Sequence, residues 1–197
     1  MNPLYQNDLN LLQQKSLERI MGIDEAGRGA LAGPVVIAAV ILDYSDPIIG
    51  LNDSKLLSVK KREALACQIS SRALAFTIVE LDATTIDEIN IRQASLKGFV
   101  QVYNKLKKQT PYALVDGRDL PDEVQGQAVI KGDQKHAAIA AASILAKVHR
   151  DQVMRDLDLV YPEYDFATHK GYGTSAHYAA LRCWGASPVH RRSFRLT

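Results

Sequence analysis

The chain has 197 residues, 47% hydrophobic and 23% charged. These are ordinary globular proportions, and they exclude disorder, collagen and coiled coil as descriptions of the whole. Twenty-four Lys and Arg against 22 Asp and Glu leave a net charge of +2, so no wholesale basic field announces nucleic acid and such a partner would need a local patch. A chain this long buries about 70% of its surface, enough for a core without metal or disulfide staples, and one domain over 1–197 is expected.

Cys67 and Cys183 lie far apart, with no C-x-x-C spacing and no neighbouring His. That is neither a disulfide framework nor a zinc site, and it suits a reducing cytosol. The longest non-polar run, Ala30–Leu42, contains Gly33 and Pro34 and is too short to span a bilayer. The opening stretch carries one late Lys and no apolar core, so no signal peptide is visible. A soluble cytoplasmic protein without membrane association is expected.

In chain order, Arg19–Asp24 reads as a short strand, followed by the turn Gly27-Arg28-Gly29. Val35–Leu42 is a continuous β-branched run, as expected of a strand buried on both faces. Ser58 caps a helix reaching about Ala73, and Phe76–Leu81 is another strand candidate. Thr84 or Thr85 caps a helix that runs, with a break, to about Lys108, and Pro111 enforces a stop. Tyr112–Asp116 and Gln127–Lys131 read as strands, ending in Asp116-Gly117 and Gly132-Asp133. From Lys135 to about Asp158 the pattern is helical and rich in small residues, among them Ala137, Ala138, Ala140, Ala141 and Ala142, which let a helix lie close on a sheet. Ser175 to about Cys183 is a further short helix, and His190–Arg195 is a basic tail. The fold class is α/β, a mixed central β-sheet flanked by helices, with a small C-terminal helical extension over about 160–197.

The densest chemistry lies at Gly22-Ile23-Asp24-Glu25-Ala26-Gly27-Arg28-Gly29-Ala30-Leu31-Ala32-Gly33-Pro34. Two adjacent carboxylates end an apolar strand, and a glycine turn with one arginine follows. A surface turn after a strand has the same composition. The glycines are out of register for G-x-G-x-x-G, a strand rather than a helix follows, and no G-K-[ST] occurs, so nucleotide-cofactor folds are excluded. Asp116 and Asp133 likewise follow runs of Val, Leu or Ile and adjoin Gly. In an α/β sheet such strand ends gather on one rim. Four acids there repel one another unless cations sit between them. Hard oxygen donors suit Mg²⁺ or Mn²⁺, and two such ions about 4 Å apart stabilise both the attacking and leaving oxygens of a phosphodiester. Each Asp alone reads as a cap or turn residue; the set points to metal.

The sequence resembles the ribonuclease HII family, the bacterial type 2 ribonucleases H. Seven blocks carry the resemblance: G-I-D-E-A-G-R-G-x-L-A-G-P-V-V at Gly22, N-D-S-K-L-L-S at Asn52, L-V-D-G at Leu114, K-G-D at Lys131, A-A-A-S-I-L-A-K-V-x-R-D at Ala140, H-K-G-Y at His169 and H-R-R-S-F at His190. It implies a ribonuclease H-like fold and a metal-dependent endoribonuclease with two Mn²⁺ or Mg²⁺ ions. Such an enzyme cuts the RNA strand of RNA–DNA hybrids and nicks 5′ of single ribonucleotides in duplex DNA, leaving 3′-hydroxyl and 5′-phosphate ends. By resemblance Asp24, Glu25, Asp116 and Asp133 are the catalytic acids and metal ligands, and Gly27, Arg28 and Gly29 contact the ribonucleotide sugar and flanking phosphates. Tyr172 matches the family tyrosine that packs on the adjacent deoxyribose and senses the 2′-hydroxyl, a double task that suits an aromatic with a polar tip. Two positions depart from the pattern: Ala30 and Gly173 stand where the family has prolines, which implies a more mobile Tyr172 loop.

Lys55 is expected to reach a phosphate, with a solvated surface charge as the plain reading. Ser143 and Lys147 are spaced i, i+4 on one helix face. Either the pair meets substrate phosphate, or Lys147 lies along the helix edge with its head in water. His169 and Lys170 flank Tyr172 and are expected near backbone phosphates. None of the histidines is expected to bind metal. Lys60-Lys61-Arg62 reads as an exposed helix face, and Arg191, Arg192 and Arg195 either hold duplex or form a solvated tail, the family block favouring a place near the site.

The leading expectation is direct hydrolysis by an activated water, because no nucleophilic Ser or Cys with a base partner is evident. Another metal-dependent nuclease of the same fold and a non-catalytic nucleic-acid-binding module are the alternatives, distinguished by indifference to ribose and by the absence of cleavage. Ribonuclease HIII is disfavoured by the shortness of the segment before Asp24. A monomer is expected, and contact with a sliding clamp is left open.

Overall fold

The apolar run read as a doubly buried strand becomes β2, Val35–Ile41, and every one of its residues is buried. The structure, a computed structural model, describes residues 2–197. β2 lies in a mixed five-stranded sheet of order β3-β2-β1-β4-β5, with β1 Met21–Ala26, β3 Ala75–Leu81, β4 Ala113–Asp116 and β5 Gly126–Val129. β1, β2 and β3 are antiparallel neighbours, whereas β4 runs parallel to β1 and β5 parallel to β4. The helices are α1 Pro3–Lys15, α2 Val59–Arg72, α3 Ala83–Ile89, α4 Ile91–Leu106, α5 Ala137–Val160, α6 Phe166–His169 and α7 Ser175–Trp184. The α/β class and the mixed sheet flanked by helices are therefore as the sequence indicates.

Strand alternation divides the core into two layers. Val36, Ala38 and Val40 face α1, α2 and α5, while Val35, Ile37, Ala39 and Ile41 join Met21 and Ile23 against α3 and α4. Gly22 belongs to the first face, and its lack of a side chain is structural: a Cβ there would stand 2.0 Å from the backbone carbon of Ala138. α5 thus lies directly on β1, backbone to backbone, as its small residues predict. A third cluster packs Phe166, Tyr164 and Leu181 of the C-terminal segment on Leu31, Ala32 and Met154.

Several local readings change. Asp82, not Thr84 or Thr85, caps α3 by accepting from the Thr85 N–H at 2.8 Å; the threonines lie inside the first turn. The expected break is Asn90, at φ 66°, whose side chain caps α4. β1 continues past Asp24 to Ala26, because Glu25 and Ala26 still pair with β2. α1 is an additional helix, started by Asn2, whose side chain caps it, with Pro3 following. Its Asp8 is fully buried and accepts from the Ala138 N–H at 2.9 Å, the Tyr44 hydroxyl at 2.9 Å and His136 Nδ1 at 2.7 Å. α5 has no capping side chain of its own, so its N-terminal cap comes from α1. Among the described residues no helix is long and apolar enough to cross a membrane.

Candidate active site

Parallel pairing brings the acids together. β1 and β4 are in register at Ile23 and Val115, so the next residues, Asp24 within β1 and Asp116 at the end of β4, stand side by side on one rim. β5 is in register with β4 at Val129 and Asp116, which puts the turn after it, with Asp133, beside the same rim. The Gly132 N–H donates to Asp116 Oδ1 at 2.6 Å and ties that turn to β4. A cleft of about 290 Å³ opens here, lined by Asp24, Glu25, Asp116, the Gly27-Arg28-Gly29 turn, Ser54, Lys55, Ser143, Lys147 and Tyr172. Asp133, His169 and Lys170 are outside its lining. A larger hollow of about 760 Å³, between α4 and Leu120–Glu123, brings in none of the strand-end acids.

Burial raises three of these acids, Asp24, Glu25 and Asp133, above the ordinary carboxylate value. Asp24, 5% exposed, is pushed well above the ordinary carboxylate range by burial and then by Glu25 and Asp116, with the Ser143 hydroxyl opposing. Burial also raises Glu25, against the pull of Arg28, whose Nη1 stands 3.4 Å from Glu25 Oε1. Asp133 is raised by burial and partly offset by Lys55, whose Nζ is 3.5 Å from Asp133 Oδ2. Burial works to lower Lys55, yet Asp133 and Asp53 outweigh it and raise it. Asp53 also sets its position, accepting from the Lys55 N–H at 2.9 Å and from Gln134 Nε2 at 3.1 Å.

The donor set fits a hard divalent cation. Glu25 Oε2 is buried with no hydrogen-bond partner, a costly state that a cation would relieve. Among the described residues no three ligating groups already stand at metal-holding spacing; Arg28 and Lys55 lie among the acids and supply positive charge there.

The glycine turn is held from beneath by two buried arginines. Arg191 Nη2 donates to the Gly27 carbonyl at 2.8 Å, Nη1 to the Arg28 carbonyl at 3.0 Å and Nε to the Gly33 carbonyl at 3.0 Å. Arg150 donates to the carbonyls of Pro34 and Ala32 at 3.0 and 3.2 Å. In a trans peptide N–H and C=O point oppositely, so the Arg28 and Gly29 N–H groups face away from Arg191. Neither meets an acceptor among the described residues, and nothing lies within 4 Å of where a Gly29 Cβ would be. Gly27, at φ 91°, is needed twice over: the backbone is left-handed, and a Cβ would stand 1.9 Å from Arg150 Nε. Burial lowers Arg191 to about 9, still charged at neutral pH.

Tyr172 closes the far side, 38% exposed, its ring centre 5.3 Å from Arg150 Cζ. Despite Gly173, the loop is tied on both sides, with the Tyr172 N–H on the His169 carbonyl at 3.0 Å and the Thr174 N–H on the Tyr172 carbonyl at 2.8 Å. His169 is buried, its Nε2 on the Tyr164 carbonyl at 2.6 Å, and the Lys170 amine turns back to the Ala167 carbonyl. Ser143 Oγ meets Ser54 Oγ at 3.0 Å, and Lys147 pairs with Asp151 at 2.6 Å. Arg191 is internal, whereas Arg192 and Arg195 are exposed. The sequence reading missed Ser54 and Arg150 as parts of the site; an arginine on a small-residue helix was the available signal for the second.

Comparisons with known proteins show the family and the fold. The family model described as Ribonuclease HII matches residues 21–197, leaving α1 outside. A relative from Francisella tularensis subsp. mediasiatica named Ribonuclease HII is 51% identical over 177 residues, covering 89% of this chain and 95% of that one. Among solved structures, the ribonuclease H2 of Pyrococcus horikoshii OT3 superposes with TM-score 0.77 at 27% identity over 90% of this chain and 94% of that one. The ribonuclease HII of Archaeoglobus fulgidus, solved as a complex with PCNA, does so with TM-score 0.77 at 28% identity, over 91% and 96%. The sheet is thus that of the ribonuclease H-like fold, and the chain belongs to the ribonuclease HII family.

Proposed function

We propose that the protein is an endoribonuclease that hydrolyses the RNA strand of RNA–DNA hybrids and nicks 5′ of single ribonucleotides in duplex DNA, leaving 3′-hydroxyl and 5′-phosphate ends. The observation that carries this reading is one cleft shared by Asp24, Glu25 and Asp116, the Gly27–Gly29 turn and Tyr172. Acids for the phosphodiester thus face groups suited to the sugar beside it.

Asp24, Glu25, Asp116 and Asp133 are the residues that would hold two Mg²⁺ or Mn²⁺ ions. Such ions, when bound, stabilise charge on the attacking and leaving oxygens of the scissile phosphate. Arg28 and Gly29 offer outward N–H groups to a 2′-hydroxyl and its phosphate, and the missing Cβ of Gly29 leaves room for the sugar. Lys55, with its side chain 79% exposed, and Lys147 supply positive charge for flanking phosphates, and Ser143, its hydroxyl on that of Ser54, faces the same cleft for a phosphate contact. Tyr172 packs its ring on the neighbouring deoxyribose. His169 and Lys170, bonded within their own loop, serve the reading by shaping it. We assign the whole of 1–197 to one catalytic domain, acting as a cytoplasmic monomer in the excision of ribonucleotides from DNA. A sliding-clamp contact is a natural extension, since the Archaeoglobus relative was solved with PCNA.

The test is Asp116→Asn, which keeps the shape of the rim and removes one anionic oxygen. Cleavage should fall by at least about 100-fold while the variant still binds a ribonucleotide-containing duplex. Normal cleavage by Asp116→Asn would overturn the assignment.

A further inference from the structure

Three histidines that cleavage chemistry does not use are packed under the Tyr172 loop: His169, His177 and His190, exposed by 8%, 0% and 1%. They come from α6, α7 and the segment after it. The His169 and His177 rings stack at 4.4 Å, and the Phe166 ring meets all three at 5.6 to 6.0 Å.

Backbone groups decide where each ring carries its proton. His190 Nδ1 meets both the Ser187 N–H at 3.0 Å and the Ser187 hydroxyl at 2.8 Å. The N–H can only donate, so that nitrogen is an acceptor and the hydroxyl, where bonded to it, donates as well. Neutral His190 therefore carries its proton on Nε2. That proton faces His177 Nε2 at 2.9 Å, which must accept, so the His177 proton is on Nδ1. Nδ1 lies 3.0 Å from the Tyr172 carbonyl oxygen, which can only accept. Each ring carries one proton, and every donor has an acceptor. His169 is fixed the same way: its Nδ1 accepts from the Gly171 N–H at 3.2 Å, and its Nε2 donates to Tyr164.

We propose that His190 and His177 form a positioning relay for Tyr172, in which the Ser187 N–H fixes the His190 tautomer, His190 fixes that of His177, and His177 holds the Tyr172 carbonyl. The inference rests on the reading of Tyr172 as the group that packs against sugar. The carbonyl is held from within by His177 Nδ1 and the Thr174 N–H, which fixes the backbone at Tyr172 and keeps its ring over Arg150 at the mouth of the cleft. Neither histidine lines that cleft, so both act through Tyr172.

His190→Leu removes the donor to His177, whereas His190→Gln keeps one acceptor for Ser187 and one donor for His177. kcat and KM are measured for each on a DNA duplex with one ribonucleotide and on a continuous RNA–DNA hybrid, with Tyr172→Ala beside them. The relay predicts that His190→Leu lowers kcat/KM on the single ribonucleotide by about tenfold. The hybrid should stay within about twofold, and Gln should restore the preference. An equal fall on both substrates, or a Gln variant as impaired as Leu, overturns the relay in favour of a purely structural role. Lost preference in Tyr172→Ala with normal preference in His190→Leu retires the relay alone; unchanged preference in Tyr172→Ala retires the reading beneath it as well. Should His190→Leu fail to fold, ¹⁵N NMR of the wild-type protein at neutral pH decides. Protonation at His190 Nε2 and His177 Nδ1 supports the relay, and the opposite tautomers refute it.

Discussion

Replacing Gly22 by alanine probes the contact on which the whole site is built. The new Cβ would meet the carbon, oxygen and following nitrogen of the Ala138–Ile139 peptide at 2.0, 2.2 and 2.4 Å. Ordinary contact begins at 3.4 Å, so α5 and β1 must part by about 1.4 Å. These are backbone atoms with no rotamer to yield, which places the cost near the upper end of overpacking, about 3 kcal/mol. For a chain of this size that is a fall in Tm of about 6–12 °C. Asp24 from β1 and Ser143 from α5 line one cleft, and displacement of about 1 Å at a reacting centre costs roughly 100-fold in rate. Thermal melts and cleavage rates of Gly22→Ala should show both losses. Gly29→Ala is the control: with nothing within 4 Å of its Cβ, it should melt like the wild type. A Gly22→Ala protein with unchanged Tm and rate would refute the close packing of α5 on β1.

Two further outcomes follow from the charges. Asp24 is raised above its unfolded value by burial and then by its acidic neighbours, so its contribution to stability is lost as pH rises through the folded pKa. At neutral pH, in chelator, Asp24→Asn should raise Tm, while added Mg²⁺ or Mn²⁺ should stabilise the wild type more than the variant; a lower Tm for the variant in chelator contradicts this. His190 behaves oppositely, depressed from 6.5 to about 4 by burial and then by His177 and His169. The unfolded chain takes up the proton first, so stability is intact above pH 6.5 and falls as pH drops towards 4, by about 3 kcal/mol in all from this residue. Urea unfolding across that window should show the loss, flattened in His190→Gln; an equal slope in both proteins excludes His190 as its source.

How far the sequence could be read depends on the range of each interaction. The acids were legible because strand ends and their glycines are local, and parallel pairing then brings Asp24 and Asp116 to one rim. α2 was legible at its first residue, since Ser58 caps it within a turn. α1 was not, because its Asn and Gln hide an apolar edge of Leu4, Tyr5 and Leu12 that exists only against the rest of the fold. The sequence leaves Arg191 between holding duplex and a solvated tail, with the family block favouring a place near the site. Its internal role was not legible, because the carbonyls that receive it lie more than 150 positions earlier. His169, His177 and His190 share no helical spacing and meet only where α6, α7 and the tail fold together. Thr84 and Thr85 were read as caps because Asp82, which takes that role, sits directly after the strand.

The most direct test is an end-labelled DNA duplex containing one ribonucleotide, incubated with the protein and Mg²⁺, Mn²⁺ or chelator, beside an all-DNA duplex. A metal-dependent nick on the 5′ side of the ribonucleotide and an intact all-DNA duplex are the expected result. Equal cutting of both duplexes, or binding without any cut, would contradict it.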